Sequence, residues 1–396
     1  MGPIRVAIVG LSANAITGWA SRAHLPYLLS AAGKARFEII ALCNSSVASA
    51  KRAIAVFRLP IQTRAYGTPE DLAADRDVQL VINCTRVDLH HETTLPSIRA
   101  GKDVFVEWPL AENVAKAAEL TSAAREAGGK TVVGLQGWFI PTTLKLKEII
   151  EFGRIGKVTS SELRGGGWTS DRASISSLTK YFLERKVGGN LVTIAFGHIF
   201  DWVQHTLGDV HNIKPHLQLQ RPSIKIYDSH TGEFIENAQS EVPDLIYVTG
   251  TLPGTRHIAQ DATLSLRFRR AQVFEGEPAL VWSILGEKGE IRLMAAASTM
   301  LQASSLADVT IHVENHETGN VEPVNFDWGA YSELPFIARS YGPLYEAYAS
   351  EAEGKYPDFE HALKRHRQLE EIWSGFNTCS LSPHTSVNNL HYAHLP

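Results

Sequence analysis

Cysteine and methionine are scarce in this chain, with three of each in 396 residues. Cys43, Cys84 and Cys379 show neither CxxC spacing nor even pairing. That leaves no disulfide framework, argues against a structural zinc site, and points to a reducing compartment. An excess of one charge is also lacking: 38 Lys and Arg stand against 42 Asp and Glu, a net charge of -4. Neither direct nucleic-acid binding nor an anionic membrane surface has an electrostatic basis in such a balance. No apolar run reaches the ~18 residues a membrane helix requires. The apolar opening "MGPIRVAIVGLSA" has no basic leader and no cleavage site, so it reads as a first strand. Internal repeats and low-complexity segments are absent too. The expected location is the cytoplasm, with a nuclear share left open.

What is present is an ordinary globular composition, 44% hydrophobic and 20% charged, in a chain too long for one comfortable core. In the first third, "IRVAIVGL", "FEIIALCN", "VQLVINCT", "KDVFVEW" and "KTVVGLQ" are short apolar runs separated by helical stretches such as "AENVAKAAELTSAAREAGG". Strands apolar throughout and alternating with helices predict a doubly wound parallel sheet, a Rossmann domain over residues 1–135. The texture then changes. "PTTLKLKEIIEFGRIG" and "GGNLVTIAFGHIFDWVQHTLG" read as helices, and "LIYVTGTL", "ATLSLRFRR", "LVWSILGE", "GEIRLMA" and "VTIHVEN" alternate with a period of two. Residues 136–381 are therefore expected to form an α/β domain around a large, mostly antiparallel open sheet, closed by the helix "DFEHALKRHRQLEEIWSGF". Residues 382–396 read as a polar C-terminal tail.

"VAIVGLSANAITGWA" joins the first strand to a helix. In a dinucleotide-binding turn the first glycine makes the bend, and the phosphates meet unpaired N–H groups at the helix start. Gly10 fits the first role. Ser12 stands where a second glycine is usual, although its hydroxyl offers a phosphate donor. The plain alternative is a glycine at an ordinary strand-to-helix turn. At the end of the second strand, where an acid would select NAD through the ribose 2′-OH, the chain has Asn44-Ser45-Ser46, with Lys51 and Arg52 further on. NADP is therefore expected to be accepted or slightly preferred over NAD, unless these residues merely cap the next helix.

The stretch "VINCTRVDLHHETTLPSIRAGKDVFVEWPLAENVAKAAEL", followed by "GRIGKVTSSELRG" and "VGGNLVTIAFGHIFDWVQHTLG", resembles the glucose-fructose oxidoreductase, inositol dehydrogenase and MocA (Gfo/Idh/MocA) family over nearly the whole chain. "VEW" in place of Glu-Lys-Pro, "GLQG", "GGGW" and "NLVTIAFGHIFDWVQ" are similar, within it, to the fungal galactose-regulon inhibitor branch. The resemblance implies a Rossmann domain joined to an α/β domain whose open sheet often forms a dimer face.

It also implies a set of site residues. Along the coenzyme it places Gly10, Ser12, Ala13, Asn44, Ser45, Cys84, Thr85, His90, Glu107, Trp108 and Gln136. The family's enzymes use the lysine of Glu-Lys-Pro, with a histidine and an aspartate on the substrate-side helix. Position by position, Glu107 and Pro109 match, the lysine becomes Trp108, His198 matches, and the aspartate becomes Ile194. Arg86 stands where the family usually has proline. An indole cannot accept a proton, so His198 is left as the candidate base, oriented by Asp201 one turn on. Trp108 is expected to line the junction of cofactor and substrate pockets, with Trp168, Tyr181, His198 and Asp201 as further substrate contacts. His198, Glu107 and Tyr181 are the candidate catalytic groups.

Three functions remain open from sequence. One is an NAD(P)-dependent oxidoreductase acting on a sugar, polyol or secondary-metabolite alcohol or ketone. Another is a dinucleotide-binding regulator that acts through a protein partner. The last is a non-redox enzyme, for rearrangement or elimination, on the same fold. The expected partners are a small-molecule substrate and a second copy of the chain.

Overall fold

The structure is a computed structural model and describes residues 2–15, 18–167, 171–350 and 354–376. Trp168, Cys379 and the tail 382–396 lie outside the described residues.

Six strands form the first sheet: β1 (Ile4–Val9), β2 (Phe37–Cys43), β3 (Arg64–Tyr66), β4 (Leu80–Asn83), β5 (Asp103–Val106) and β6 (Thr131–Val133). Their order is β3-β2-β1-β4-β5-β6 and every pairing is parallel. Helices cover both faces, which is why β1 and β4 are apolar along almost their whole length. Local signals end these helices. Ser46 caps the helix Val47–Val56 by accepting from the Ser49 N–H, and Asn113 caps Val114–Ala127 at the Lys116 N–H. Gly128, at φ +76°, closes the latter in the left-handed region. The winding reverses between β1 and β4, so the crevice beyond their C-terminal ends is where such a sheet takes a ligand.

The second sheet has eight strands: β7 (Val158–Gly167), then, after the short β8 (Ser174–Ser176), β9 (His211–Gln218), and, after β10 (Ser223–Tyr227) and β11 (Phe234–Gln239), β12 (Leu245–Leu252), β13 (Ile258–Arg270), β14 (Leu280–Gly286), β15 (Gly289–Ala295), β16 (Val309–Asn315) and β17 (Val321–Pro323). Its order is β17-β16-β15-β14-β7-β13-β12-β9, antiparallel except for β7 with β13. Strands β11-β10-β8 make a small separate sheet that the polar sequence did not announce. On the large sheet Leu163, Phe268, Trp282 and Leu293 point inward, and the Trp282 ring meets Trp202 of the helix over residues 191–207 at 5.2 Å. Glu162, Arg164, Arg267, Arg269 and Arg292 alternate onto the other face.

The first sheet ends with β6 at Val133 and the second begins with β7 at Val158. The chain then returns to the first. A helix Tyr341–Ala349, unforeseen in the sequence, buries Tyr341, Leu344 and Tyr345 among Val6, Ile8 and Phe105. The last helix, Phe359–Trp373, packs on Val114–Ala127, and the Val133 N–H donates to the Pro357 carbonyl at 2.9 Å. The helices Tyr341–Ala349 and Phe359–Trp373 therefore pack against the first sheet and its helices. No helix among the described residues is long and apolar enough to cross a membrane.

Candidate active site

The crevice is built first by Gly10. Its φ is +90°, and a Cβ there would stand 3.0 Å from the Cys84 carbonyl and 3.1 Å from the Thr85 nitrogen. Any side chain would push the turn off the end of β4, so glycine is required by both conformation and contact. Ser12 closes a tight turn back to the Gly10 carbonyl and accepts from the Asn14 N–H, while Ala13 is exposed at the tip. Asn44 is buried; its amide donates to the Leu11 carbonyl at 2.9 Å and its Oδ1 has no partner. Ser45 is exposed beside it, and Ser46 is taken up by the helix cap. The first turn is thus braced from β2 by a neutral side chain, while burial, with the charges of Asp71 and Glu70, pushes up the Cys43 thiol at that strand end.

Beyond β4, the Thr85 N–H and hydroxyl both donate to Asn83 Oδ1. Burial, reinforced by the Glu107 charge, pushes the Cys84 thiol well up, so it stays protonated. His90 is buried with its two ring nitrogens facing the carbonyls of Pro109 (2.9 Å) and Thr85 (3.0 Å), which ties the β4 and β5 ends together. Burial lowers its pKa against those two carbonyls, so the ring is neutral and donates to one of them at a time. Gln136, just past β6, is 1% exposed, and neither its Oε1 nor its Nε2 has a partner. An unpartnered buried amide costs about 1–3 kcal/mol, a cost that a ligand amide would remove. The Gly10 approach, the free Asn44 oxygen and the free Gln136 amide all fit a pyridine dinucleotide lying across this edge. No group of His, Cys, Asp or Glu among the described residues is placed to hold a metal.

Glu107 ends β5. Its carboxylate accepts from Trp19 Nε1 at 2.9 Å and from the Tyr341 hydroxyl at 2.9 Å, and it meets His24 Nε2 at 2.8 Å. His24 in turn meets the Tyr345 hydroxyl at 2.6 Å. A Cβ on Gly134 would lie 2.6 Å from the carboxylate, so that side is closed as well. In place of the catalytic role expected from the resemblance, this geometry makes Glu107 a positioning residue that ties the helix after the Gly10 turn to the returning helix 341–349.

Trp108 follows, joined to Pro109 by a cis bond and only 5% exposed. Its indole N–H donates to the Thr193 carbonyl at 2.7 Å, its ring meets His366 at 4.9 Å, and Gly197 packs against its edge. It is therefore an internal brace between the two halves and not the open pocket wall that was expected. The segment it braces, Leu191–Phe196, is π-helical, as is Ala20–His24 beside the Gly10 turn. Such wide turns recur where a helix has been adapted around a site.

His198 lies one residue past Gly197. It is 7% exposed and has no hydrogen-bond partner among the described residues. Burial lowers its pKa to about 4 in spite of the charges of Glu107 and Asp201, so the ring is neutral at physiological pH. The contact expected between Asp201 and His198 does not form. Asp201 instead accepts from Trp138 Nε1 (2.9 Å) and Arg365 Nε (2.9 Å) and meets His361 Nε2 at 2.6 Å. Burial alone would raise its carboxyl, but His361 and Arg365 hold it well below the usual range. Its substrate contact is likewise replaced by this clamp on the last helix. Tyr181 lies under the Arg86 guanidinium at 5.3 Å, just beyond Thr85, and beside Gly189, which also faces Val87 and Ile194; burial pushes its phenol up, away from use as an acid.

Residues 4–135 match the oxidoreductase family with an NAD-binding Rossmann fold, and residues 141–295 match the Gal80p C-terminal domain. The chain is 31% identical to dehydrogenase aclE of Aspergillus oryzae, over 76% of its own length and 79% of that protein. It is also 31% identical to the galactose/lactose metabolism regulatory protein GAL80 of Saccharomyces cerevisiae, over 74% of this chain and 66% of that one. The chain belongs to the Gfo/Idh/MocA family, with a Gal80-like C-terminal domain. A super-repressor mutant of S. cerevisiae Gal80p superposes with a TM-score of 0.81 at 25% identity, covering 95% of this chain and 96% of that one. Levoglucosan dehydrogenase in complex with NADH and L-sorbose shares the fold, with a TM-score of 0.72 at 16% identity over 95% of this chain and 97% of that one.

Of the residues expected to serve catalysis, His198 is the one the structure leaves without a hydrogen-bond partner among the described residues. Reading the sequence missed Trp19, His24, Tyr341, His361 and Arg365. No local signal marks them, because each acts only through a partner far along the chain.

Proposed function

We propose that the chain is an NAD(P)-dependent oxidoreductase that oxidises a hydroxyl-bearing carbon of a small sugar, polyol or secondary metabolite. The observation that carries this reading is His198: a neutral imidazole with no hydrogen-bond partner among the described residues, within reach of the Glu107 charge and on the helix that packs against Trp108 at the end of β5. When bound, the nicotinamide supplies the hydride acceptor. His198 Nε2 or Nδ1 takes the hydroxyl proton, while Gly10, Thr85 and Gln136 hold and orient the coenzyme. Burial keeps the ring neutral at pH 7, so it can accept a proton. It also makes the base a modest one, since an ideal catalytic pKa lies near working pH. The lack of a carboxylate at Asn44-Ser45 supports NADP over NAD, and NAD held about tenfold tighter would overturn that preference. A homodimer in the cytoplasm, with a possible nuclear share, completes this reading, and sedimentation of the full chain tests the dimer.

The experiment is coenzyme turnover against a panel of polyols, sugars and ketones, with His198→Ala as control. Turnover should fall ~100-fold or more in the variant while coenzyme affinity holds. One observation favours a second reading, a dinucleotide-binding regulator resembling Gal80: Trp108 occupies the lysine position as a buried brace whose N–H is already spent. Tight coenzyme binding with silence across the whole panel would select it.

A further inference from the structure

The small sheet β11-β10-β8 and the helical turn Ser177–Leu183 form a unit with a core of its own. Ile175, Leu183, Ile224 and Ile226 bury one another, apart from the two larger clusters that hold the main sheets. Phe182 and Ala238 pack on this core from outside. Four aliphatic side chains bury little apolar surface, so the unit lies toward the low end of local stability, where moving elements are found. Across from it, in the first half, stands the loop that follows β4, the same loop whose Thr85 nitrogen the Gly10 turn approaches.

Two contacts join this unit, and the chain leaving it, to that loop. Arg86 Nε and Nη2 both donate to the Asp88 carboxylate at 2.6 Å, which sets the plane of the guanidinium. Its central carbon stands 5.3 Å from the centre of the Tyr181 ring, within the range of a cation–π attraction. Arg86 is exposed and Tyr181 half-buried, so the pair lies at the mouth of the crevice and not inside it. The other contact is Gly189 against Val87: a Cβ on Gly189 would stand 2.9 Å from Val87 Cγ1, too close for a side chain. One residue earlier, Gly188 meets the Glu112 backbone with no room for a Cβ, which makes that end a fixed point. The Arg86–Tyr181 pair is by contrast a surface contact that can open without unfolding either half.

We propose that the three-stranded sheet and the turn 177–183 form a flap over the mouth of the coenzyme crevice, latched by the Arg86 guanidinium on the Tyr181 ring, and that the latch retains bound coenzyme. It presupposes the coenzyme site inferred above. Loss of one exposed cation–π contact should favour opening about 2- to 5-fold. The flap unfolds locally once undocked, so hydrogen exchange reads the latch in the full chain without coenzyme. Arg86→Leu and Tyr181→Leu should each speed exchange of the β10 amides by that factor and leave β1 and β4 unchanged. Tyr181→Phe keeps the ring face and should exchange as the wild type does. In stopped-flow displacement of NADPH, both leucine variants should release it faster by the same factor, and the double variant no faster than either single one. Exchange unchanged in the leucine variants, or equally fast in Tyr181→Phe, would overturn the latch. Faster exchange with NADPH release unchanged would mean that the flap does not cover the coenzyme, and would overturn its role. If exchange responds but no NADPH binds at all, the coenzyme site itself has failed, and the retention claim falls with it.

Discussion

The indole N–H of Trp108 donates to the backbone carbonyl of Thr193 at 2.7 Å, joining the end of β5 to the first turn of the substrate-side helix. This bond crosses from one half of the molecule to the other, and it makes residue 108 a structural brace.

Trp108→Phe keeps most of the packing and loses the bond, so it should cost about 1 kcal/mol in urea unfolding. Trp108→Ala should cost about 3–5 kcal/mol, because it empties space between Thr193, Gly197 and His366. Trp108→Lys should destabilise without raising turnover, since Ile194 offers the new ammonium no carboxylate. A gain in turnover in that variant would show that the relay needs only the lysine.

Glu107→Gln keeps the shape of the hub around Trp19, His24 and Tyr341 but removes the charge that strengthens each hydrogen bond. A loss of about 2–3 kcal/mol is expected, read by thermal unfolding. Coenzyme affinity should weaken with it, through the helix that begins at Trp19. Unchanged affinity would show that the hub does not reach the Gly10 turn. Gly134→Ala should act in the same direction, because its methyl would strike the carboxylate.

Stability should fall as pH drops below the ordinary histidine value of 6.5. His198 is lowered to about 4, and His205 and His366 to about 3, all chiefly by burial. The unfolded chain then binds protons that the folded chain refuses, so the folded state loses ground from pH 6.5 down toward those values. Asp201 opposes nothing in that window: its lowered pKa gives stability that persists above the ordinary carboxylate range and is lost only as pH falls through the folded value. Denaturant midpoints between pH 7 and 4.5 should decline, and His198→Gln should flatten part of the slope. A midpoint constant over that range would refute the buried-neutral assignment.

If His198 is the base, kcat/KM should stay level from pH 8 down to about pH 5, since the free ring protonates only near 4. A fall centred near 6.5 would mean that the ring is solvated in the working enzyme.

Asp201→Asn should loosen the last helix, because Arg365 and His361 would lose their shared carboxylate. Removing one partner from a buried charged pair costs about 3–5 kcal/mol, and chemical unfolding should show it.

The doubly wound sheet, the open antiparallel sheet and the Gly10 turn were legible in the sequence, because each is fixed by a local period or by one backbone constraint. β1 and β4 are apolar on both faces wherever they sit, and a left-handed turn against β4 admits only glycine. β10 and β11 and the helix 341–349 were not legible: the apolar alternation of β10 is only Ile224 and Ile226, β11 has none, and the tyrosines of the helix find their role only against Phe105 and Tyr27. The tertiary structure alone decided what Glu107, Trp108 and Asp201 do. A carboxylate at a strand end can face a ligand or a neighbouring side chain with equal local geometry. Here Trp19, His24 and Tyr341 reach Glu107, and His361 and Arg365 reach Asp201, from sequence distances that no local pattern records. Packing brought those donors in, and a buried charge takes whichever donors packing provides.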